Sequence, residues 1–191
     1  DVLESVLSAD AEKIRRTLES VDRRSFEQAV DKIVCAKNIY IIGVRSSSSL
    51  AGFLNFNLRL IFSNVHFVQT TSGSEMFEQL MHMGADDVMI AISFPRYSKR
   101  IIKAVEYAKE VGAQVISITD SDRSPIAPLA DQLLIARSDM VSFVDSLVAP
   151  LSIINAMIVS VARKDPATVR EKLQKLEQIW EEYEVYDTAS N

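Results

Sequence analysis

The chain has a single cysteine, Cys35, in its 191 residues, so no internal disulfide can form and the fold must be held by its core. The neighbours Ile33, Val34 and Ala36 are apolar, which predicts a buried, unreactive thiol, and this thiol usage fits a reducing cytoplasm. Positive charge is also in short supply. Lys and Arg number 21 against 26 Asp and Glu, a formal net charge of -5, the wrong sign for a surface that neutralises duplex phosphates. These residues by themselves are expected to bind DNA poorly. No basic stretch followed by an apolar run opens the sequence, so it shows no secretory signal. The long apolar stretch from Ser142 to Ala162 is interrupted by Asp145, Pro150 and Asn155 and lacks flanking anchors. It reads as a buried or subunit-interface helix, not a membrane span. Internal repeats, low-complexity tracts and Gly/Ser linkers are absent.

The rest is ordinary globular material: 48% of residues are hydrophobic and 25% charged, enough for one domain, with or without a helical extension. Leu3, Val6, Leu7, Ile14, Leu18 and Val21 recur at helical spacing in an otherwise charged segment, an amphipathic lead-in over Val2 to Val21. The pattern is already running at Asp1, without an initiator Met, which suggests a chain cut from something longer. Ser25 and Gln28 read as a capping box for a second helix that turns Phe26, Ala29, Val30, Ile33 and Val34 inward. Short β-rich runs then follow at Asn38 to Gly43, Val65 to Val68, Val88 to Ser93, Gln114 to Thr119 and Gln132 to Ala136. Helical patterns lie between them at Ser48 to Phe62, Ser74 to Met83 and Ser98 to Val111, with Gly84 and Gly112 as stops. Runs without clean alternation indicate strands covered on both faces. The order predicts an α/β fold with a flavodoxin-like, doubly wound, five-stranded parallel sheet of order 2-1-3-4-5. A last helix begins at Asp165-Pro166 and carries the stripe Val169, Leu173, Leu176, Trp180 and Tyr183. The expected divisions are residues 1–28 as lead-in, 29–164 as the ligand domain and 165–191 as a C-terminal helix and tail.

In open α/β sheets ligands sit beyond the carboxyl ends of the strands, at the switch point. The first strand runs into Gly43-Val-Arg-Ser-Ser-Ser-Ser49, and the third into Ser93-Phe-Pro-Arg-Tyr-Ser98. Each sets hydroxyls at a helix start, where free backbone N–H groups and the helix dipole favour an anion such as phosphate. Serines also cap helices with no ligand at all, but two such loops at one switch point favour a binding site. Nucleotide sites fit poorly. GxxxxGKS/T is absent, Arg45 stands where GxGxxG needs its second Gly, and Val68-Gln-Thr-Thr71 offers no acid to a ribose. A phosphoacceptor domain would want Asp at these strand ends, and the aromatics that would sandwich FMN are sparse.

At these loops the sequence resembles the SIS (sugar isomerase) family, over Ala29 to about Ala162. Such proteins bind phosphosugars through a Gly-rich, Ser-containing loop after the first strand and an S-x-S-G-x-S/T loop after the third. Ser46, Ser47, Ser93 and Ser98 fall on the family's hydroxyl positions, and Gly73-Ser74-Glu75 followed by Phe77 matches its A/G-S-E-F element. Arg45 and Pro95-Arg96 depart from the pattern by replacing Gly and the Ser-Gly pair. The resemblance implies a phosphosugar site of Ser46, Ser47, Ser93, Ser98, Arg45 and Arg96, with Ser48, Phe94, Ser74 and Glu75 as secondary members. The two arginines suit a second anionic group, as in a phosphorylated sugar acid, unless each is simply solvated.

The lead-in and last helix look like the sensor half of RpiR-type regulators of carbohydrate metabolism. Their helix-turn-helix (HTH) domain precedes this point, so operator DNA would be met only through that missing part. The alternative is an aldose/ketose phosphosugar isomerase, which needs a base and often a His. His66 and His82 read as structural, while Glu75, Glu78 and Asp145 are the carboxylates within reach, Asp145 also being placed to cap a helix. The balance favours a sensor with no catalytic residues, no metal and no cofactor. It is expected to be a homodimer or tetramer with Ser142 to Ala162 near the interface.

Overall fold

A computed structural model describes residues 1–69, 72–138 and 145–186. Two helices open the chain, α1 (Val2–Ser20) and α2 (Arg23–Cys35). Strands and helices then alternate: β1 (Ile39–Gly43), α3 (Ser46–Ile61), β2 (Val65–Val68), α4 (Gly73–Leu80), β3 (Val88–Ile92), α5 (Lys99–Glu110), β4 (Gln114–Thr119) and β5 (Gln132–Ile135). A single 3-10 turn, Ala127–Leu129, precedes β5, and α6 (Val148–Lys164) and α7 (Pro166–Glu182) close the fold.

The five strands are parallel in the order β2-β1-β3-β4-β5, with Ile41 of β1 opposite Phe67 of β2 and Ile90 of β3. Every residue of β1 and β3 is buried, which is why neither strand shows polar alternation. Successive side chains still go to opposite faces. Ile39 and Ile41 pack with Leu54, Leu58, Ile154 and Met157 under α2, α3 and α6, whereas Tyr40 and Ile42 pack with Met76, Leu80, Ile101 and Val105 under α4 and α5. The reversal of winding falls between β1 and β3, so the loops after these strands lie side by side at one edge of the sheet.

Several sequence expectations need correction. The second helix is capped by Asp22 and not by a Ser25–Gln28 box: Asp22 Oδ1 accepts from the N–H groups of Arg24 at 2.9 Å and Ser25 at 3.3 Å. A carboxylate is the better acceptor at the positive end of a helix dipole. Cys35 is exposed, because the buried face of α2 is set by Ala29, Val30 and Ile33 and residue 35 lies well round from it at the helical step. Gly112 does end its helix, at φ 83°, but α4 stops at Leu80, well before Gly84. The apolar helix begins at Val148. The part of that expectation over residues 142–144 lies outside the described residues. In α1 the buried residues are Lys13 and Thr17, while Leu3, Val6, Leu7, Ile14 and Leu18 are exposed.

Candidate functional site

Gly43 ends β1 beneath the first turn of α3, and its lack of a side chain is a steric requirement. A Cβ there would stand 2.4 Å from the carbonyl oxygen of Ser47. The chain then passes through Arg45, at φ 56° and ψ -130°, which is the N-cap of α3. After β3 the loop reaches Arg96, also left-handed at φ 66°. Both arginines thus occupy backbone conformations that glycine adopts without strain.

Two crevices open at these loops and share Val44, Arg45 and Ser98. The smaller, about 350 Å3, is lined by Ser46 and Ser47 from α3, Ser93, Phe94 and Arg96 from the loop after β3, and Asp145 with Leu147 before α6. The larger, about 590 Å3, runs from Gly43 and Ser48 across to Phe67 and Gln69 at the end of β2 and Arg100 of α5. The structure therefore brings together Arg45, Ser46, Ser47, Ser48, Ser93, Phe94, Arg96 and Ser98. Ser74 and Glu75 lie apart on α4 and line neither crevice. Val44, Phe67, Gln69, Arg100 and Leu147 are lining residues that the sequence reading did not single out, and Asp145, named from the sequence only as a carboxylate within reach, lines the smaller crevice. Gln69 was within reach of that reading, since it directly follows a strand end.

The helix starts show where an anion would be held. Asp1, Asp22, Ser72, Ser98 and Asp165 each accept a bond at the first turn of α1, α2, α4, α5 and α7. The N-cap side chains of α3 and α6, Arg45 and Leu147, accept none. Both of these helices start on the smaller crevice; the Ser48 N–H already donates to the Arg45 carbonyl at 3.0 Å and Pro150 has no N–H, which leaves the N–H groups of Ser46, Ser47, Val148 and Ala149 without a cap side-chain acceptor. Ser47 and Ser93, both buried, add hydroxyl donors from its two walls.

Charge is arranged around this centre. Arg96 lies 3.6 Å from Asp145 Oδ2; the Asp145 side chain is only 10% exposed, and its Oδ1 has no hydrogen-bond partner among the described residues. Arg45 makes no ion pair among the described residues. The loop after β3 is moored by Tyr97, whose hydroxyl donates to Asp120 Oδ1 at 2.8 Å. Burial, followed by the Asp120 carboxylate, pushes the phenol above its usual range, so it remains a donor. The histidines are elsewhere. His66 stacks on Tyr40 at 4.9 Å, and its Nε2 meets Asn38 at 3.3 Å toward the opposite end of the strands; exposed His82 follows α4.

The family model described as the SIS domain matches residues 32–160. The chain belongs to the SIS domain family. Within it, the chain is 27% identical over 170 residues to an uncharacterised HTH-type transcriptional regulator of Caldanaerobacter subterraneus, covering 85% of this chain and 58% of that one. It spans about half the length of the curated relatives it matches. The solved sugar isomerase domain of the RpiR transcription factor from Sphaerobacter thermophilus superposes with a TM-score of 0.86 at 27% identity, over 91% of this chain and 97% of that one. NanR of Vibrio vulnificus, solved with ManNAc-6P, shares the fold at TM-score 0.82 and 20% identity, over 94% and 69% of the two chains. Chains described as phosphosugar isomerases share the SIS fold as well.

Proposed function

We propose that this SIS domain is the effector-binding part of an RpiR-type regulator of carbohydrate metabolism. It takes a sugar phosphate, and by doing so changes how an HTH domain elsewhere in the protein holds operator DNA. Residues 29–164 form the ligand domain in this reading, with residues 1–28 as the lead-in and 165–191 as the trailing helix, and the working unit is a homo-oligomer. The observation that carries the proposal is the convergence of two helix starts without side-chain caps and of the Ser47 and Ser93 hydroxyls on one crevice. That is donor chemistry for a phosphate ester. The regulator relative and the ManNAc-6P bound by NanR supply the same context.

Arg45 supports the finer part of the reading, a phosphorylated sugar acid, because it stands at the meeting of the two crevices with no acidic partner of its own among the described residues. Arg96 already faces Asp145. The orphan Oδ1 of Asp145 calls for a donor, which a sugar hydroxyl provides. For an isomerase the crevices offer little among the described residues: the ionisable linings there are Arg45, Arg96, Arg100 and Asp145, without a His or Glu.

Thermal shift against a panel of phosphosugars and their unphosphorylated parents tests the proposal. Phosphate-dependent stabilisation is expected, since a ligand that binds only the folded chain raises its melting point. No shift across the panel would remove the sensor reading. Equal affinity for a sugar-acid phosphate and its neutral counterpart would remove the second anion, and turnover of any panel member would replace the sensor with an enzyme.

A further inference from the structure

The loop after β3 supplies Ser93, Phe94, Pro95, Arg96 and Ser98 to the smaller crevice, and Ser98 also lines the larger one. Its two ends are fixed by the fold. Ser93 and Phe94 are buried, and the Ser93 N–H donates to the Ile118 carbonyl at 3.1 Å. At the far end Ser98 caps α5 by accepting from the Arg100 N–H at 3.3 Å. Between these ends Pro95 and Arg96 are exposed, and Arg96 stands at φ 66°. A residue with a Cβ enters that conformation at a cost and keeps it only where its surroundings impose it. The Arg96 guanidinium does not impose it: it is 63% exposed and approaches Asp145 only to 3.6 Å, beyond hydrogen-bond length. The backbone there needs a firmer hold.

We propose that Tyr97 and Asp120 are the positioning pair of the ligand site, their bond holding Arg96 in its left-handed conformation and Ser98 at the start of α5. Tyr97 lies between these two residues in the chain, so fixing its ring fixes the planar peptide unit on each side. The ring is tied down outside its own loop: the hydroxyl donates to Asp120 Oδ1 at 2.8 Å. Asp120 is itself held, because Thr119 Oγ1 donates to the same oxygen at 3.2 Å. Thr119 is fully buried and ends β4, the strand that pairs with β3 along its length. The loop is thus fastened at its middle to the same sheet that carries its first residue. A carboxylate acceptor makes this bond stronger than one between neutral groups. Neither Tyr97 nor Asp120 is among the described residues that line the two crevices, so the pair acts on a ligand only through Arg96 and Ser98. What the loop binds rests on the effector reading; what holds the loop does not.

Two measurements on the whole 191-residue chain test the pair, and the first needs no ligand. Tyr97→Phe keeps the ring and removes the bond, which lets Arg96 relax. Arg96→Gly then has less strain left to relieve. In urea denaturation its effect on the unfolding constant should therefore be less favourable in the Tyr97→Phe background than in the wild type, by about threefold or more. Effects that simply add would overturn the proposal, whatever the crevice binds. The second measurement titrates inorganic phosphate and phosphogluconate by calorimetry. Tyr97→Phe and Asp120→Ala should each weaken both probes by roughly tenfold, whereas Asp120→Asn, which keeps an acceptor oxygen, should bind as the wild type does. Tyr97→Phe or Asp120→Ala binding as tightly as the wild type would also overturn it. If the wild type binds neither probe, the effector reading fails, and the urea cycle still decides whether Tyr97 holds Arg96.

Discussion

Arg45 and Arg96 hold φ values of 56° and 66° at two positions where the SIS-like loop pattern calls for glycine. A non-glycine residue held there costs about 1–3 kcal/mol, against roughly 1 kcal/mol by which glycine would loosen the unfolded chain. Arg45→Gly is therefore expected to raise stability by about 1 kcal/mol, seen as a higher urea midpoint at unchanged slope. Losing a charge-assisted contact should meanwhile weaken the binding of an anionic ligand by about tenfold or more, read by titration calorimetry. Arg96→Gly differs in sign. It relieves the same strain but removes the cation that faces Asp145, a side chain only 10% exposed. Stability should fall or stay level in Arg96→Gly and recover when Asp145→Asn is added, a coupling that a double-mutant cycle reads directly. At Gly43 the outcome is steric: a Cβ 2.4 Å from the Ser47 carbonyl oxygen cannot be accommodated without moving the start of α3. Gly43→Ala should then lose stability by about 1–3 kcal/mol and lose phosphosugar binding together. The serines of this site were legible because strand ends and helix starts are local features. Asp145 was legible only as a carboxylate within reach and Gln69 only as the residue after a strand end, because it is the folded sheet that brings them to the smaller and the larger crevice respectively.

At the level of elements, the strands could be read from short β-rich runs because burial on both faces makes composition, not alternation, their signature, as in β1 and β3. Helix starts were less legible: Asp22 and Ser25 are both acceptable caps, and the choice rests on which side chain reaches the first-turn N–H groups. The stripe on α1 was legible as a stripe, but spacing cannot say what covers it, and the body binds the neighbouring face through Asp10 and Thr17, with Lys13 buried between them. That attachment should be sensitive to acid. The Ser146 hydroxyl, opposed by partial burial and helped by Lys13, holds the Asp10 carboxyl below its usual range. A depressed folded-state pKa means that the unfolded chain takes up the proton first as pH falls. The contribution to stability is thus complete above the ordinary carboxylate range and is lost as pH falls through the folded value. Asp10→Asn should lower the melting temperature near neutrality, and the gap to the wild type should close in that acid window. A gap constant with pH would show that the carboxylate charge plays no part in seating α1.

For the molecule as a whole, the crevice and α1 are joined by adjacent residues. Asp145 lines the smaller crevice with an unpartnered Oδ1, and Ser146 donates to Asp10 on α1 at 2.7 Å. On the proposed reading, a ligand that engages Asp145 acts on the segment that carries Ser146, and through the Ser146–Asp10 bond on α1. Two sites linked in this way share one coupling free energy, so a phosphosugar that changes how firmly α1 is seated must have its own affinity changed by that seating to the same extent. Coupling of about 1–3 kcal/mol corresponds to a shift of roughly 5–150-fold in the opening constant of α1. That shift is measurable by amide hydrogen exchange with and without saturating ligand. Asp10→Ala cuts the connection while leaving the crevice lining in place, so it should keep ligand binding and abolish the dependence of α1 on it. If exchange in α1 changes equally with ligand in the wild type and in Asp10→Ala, the signal does not travel through Ser146, and the start of α6, which lies on the crevice, becomes the route to test.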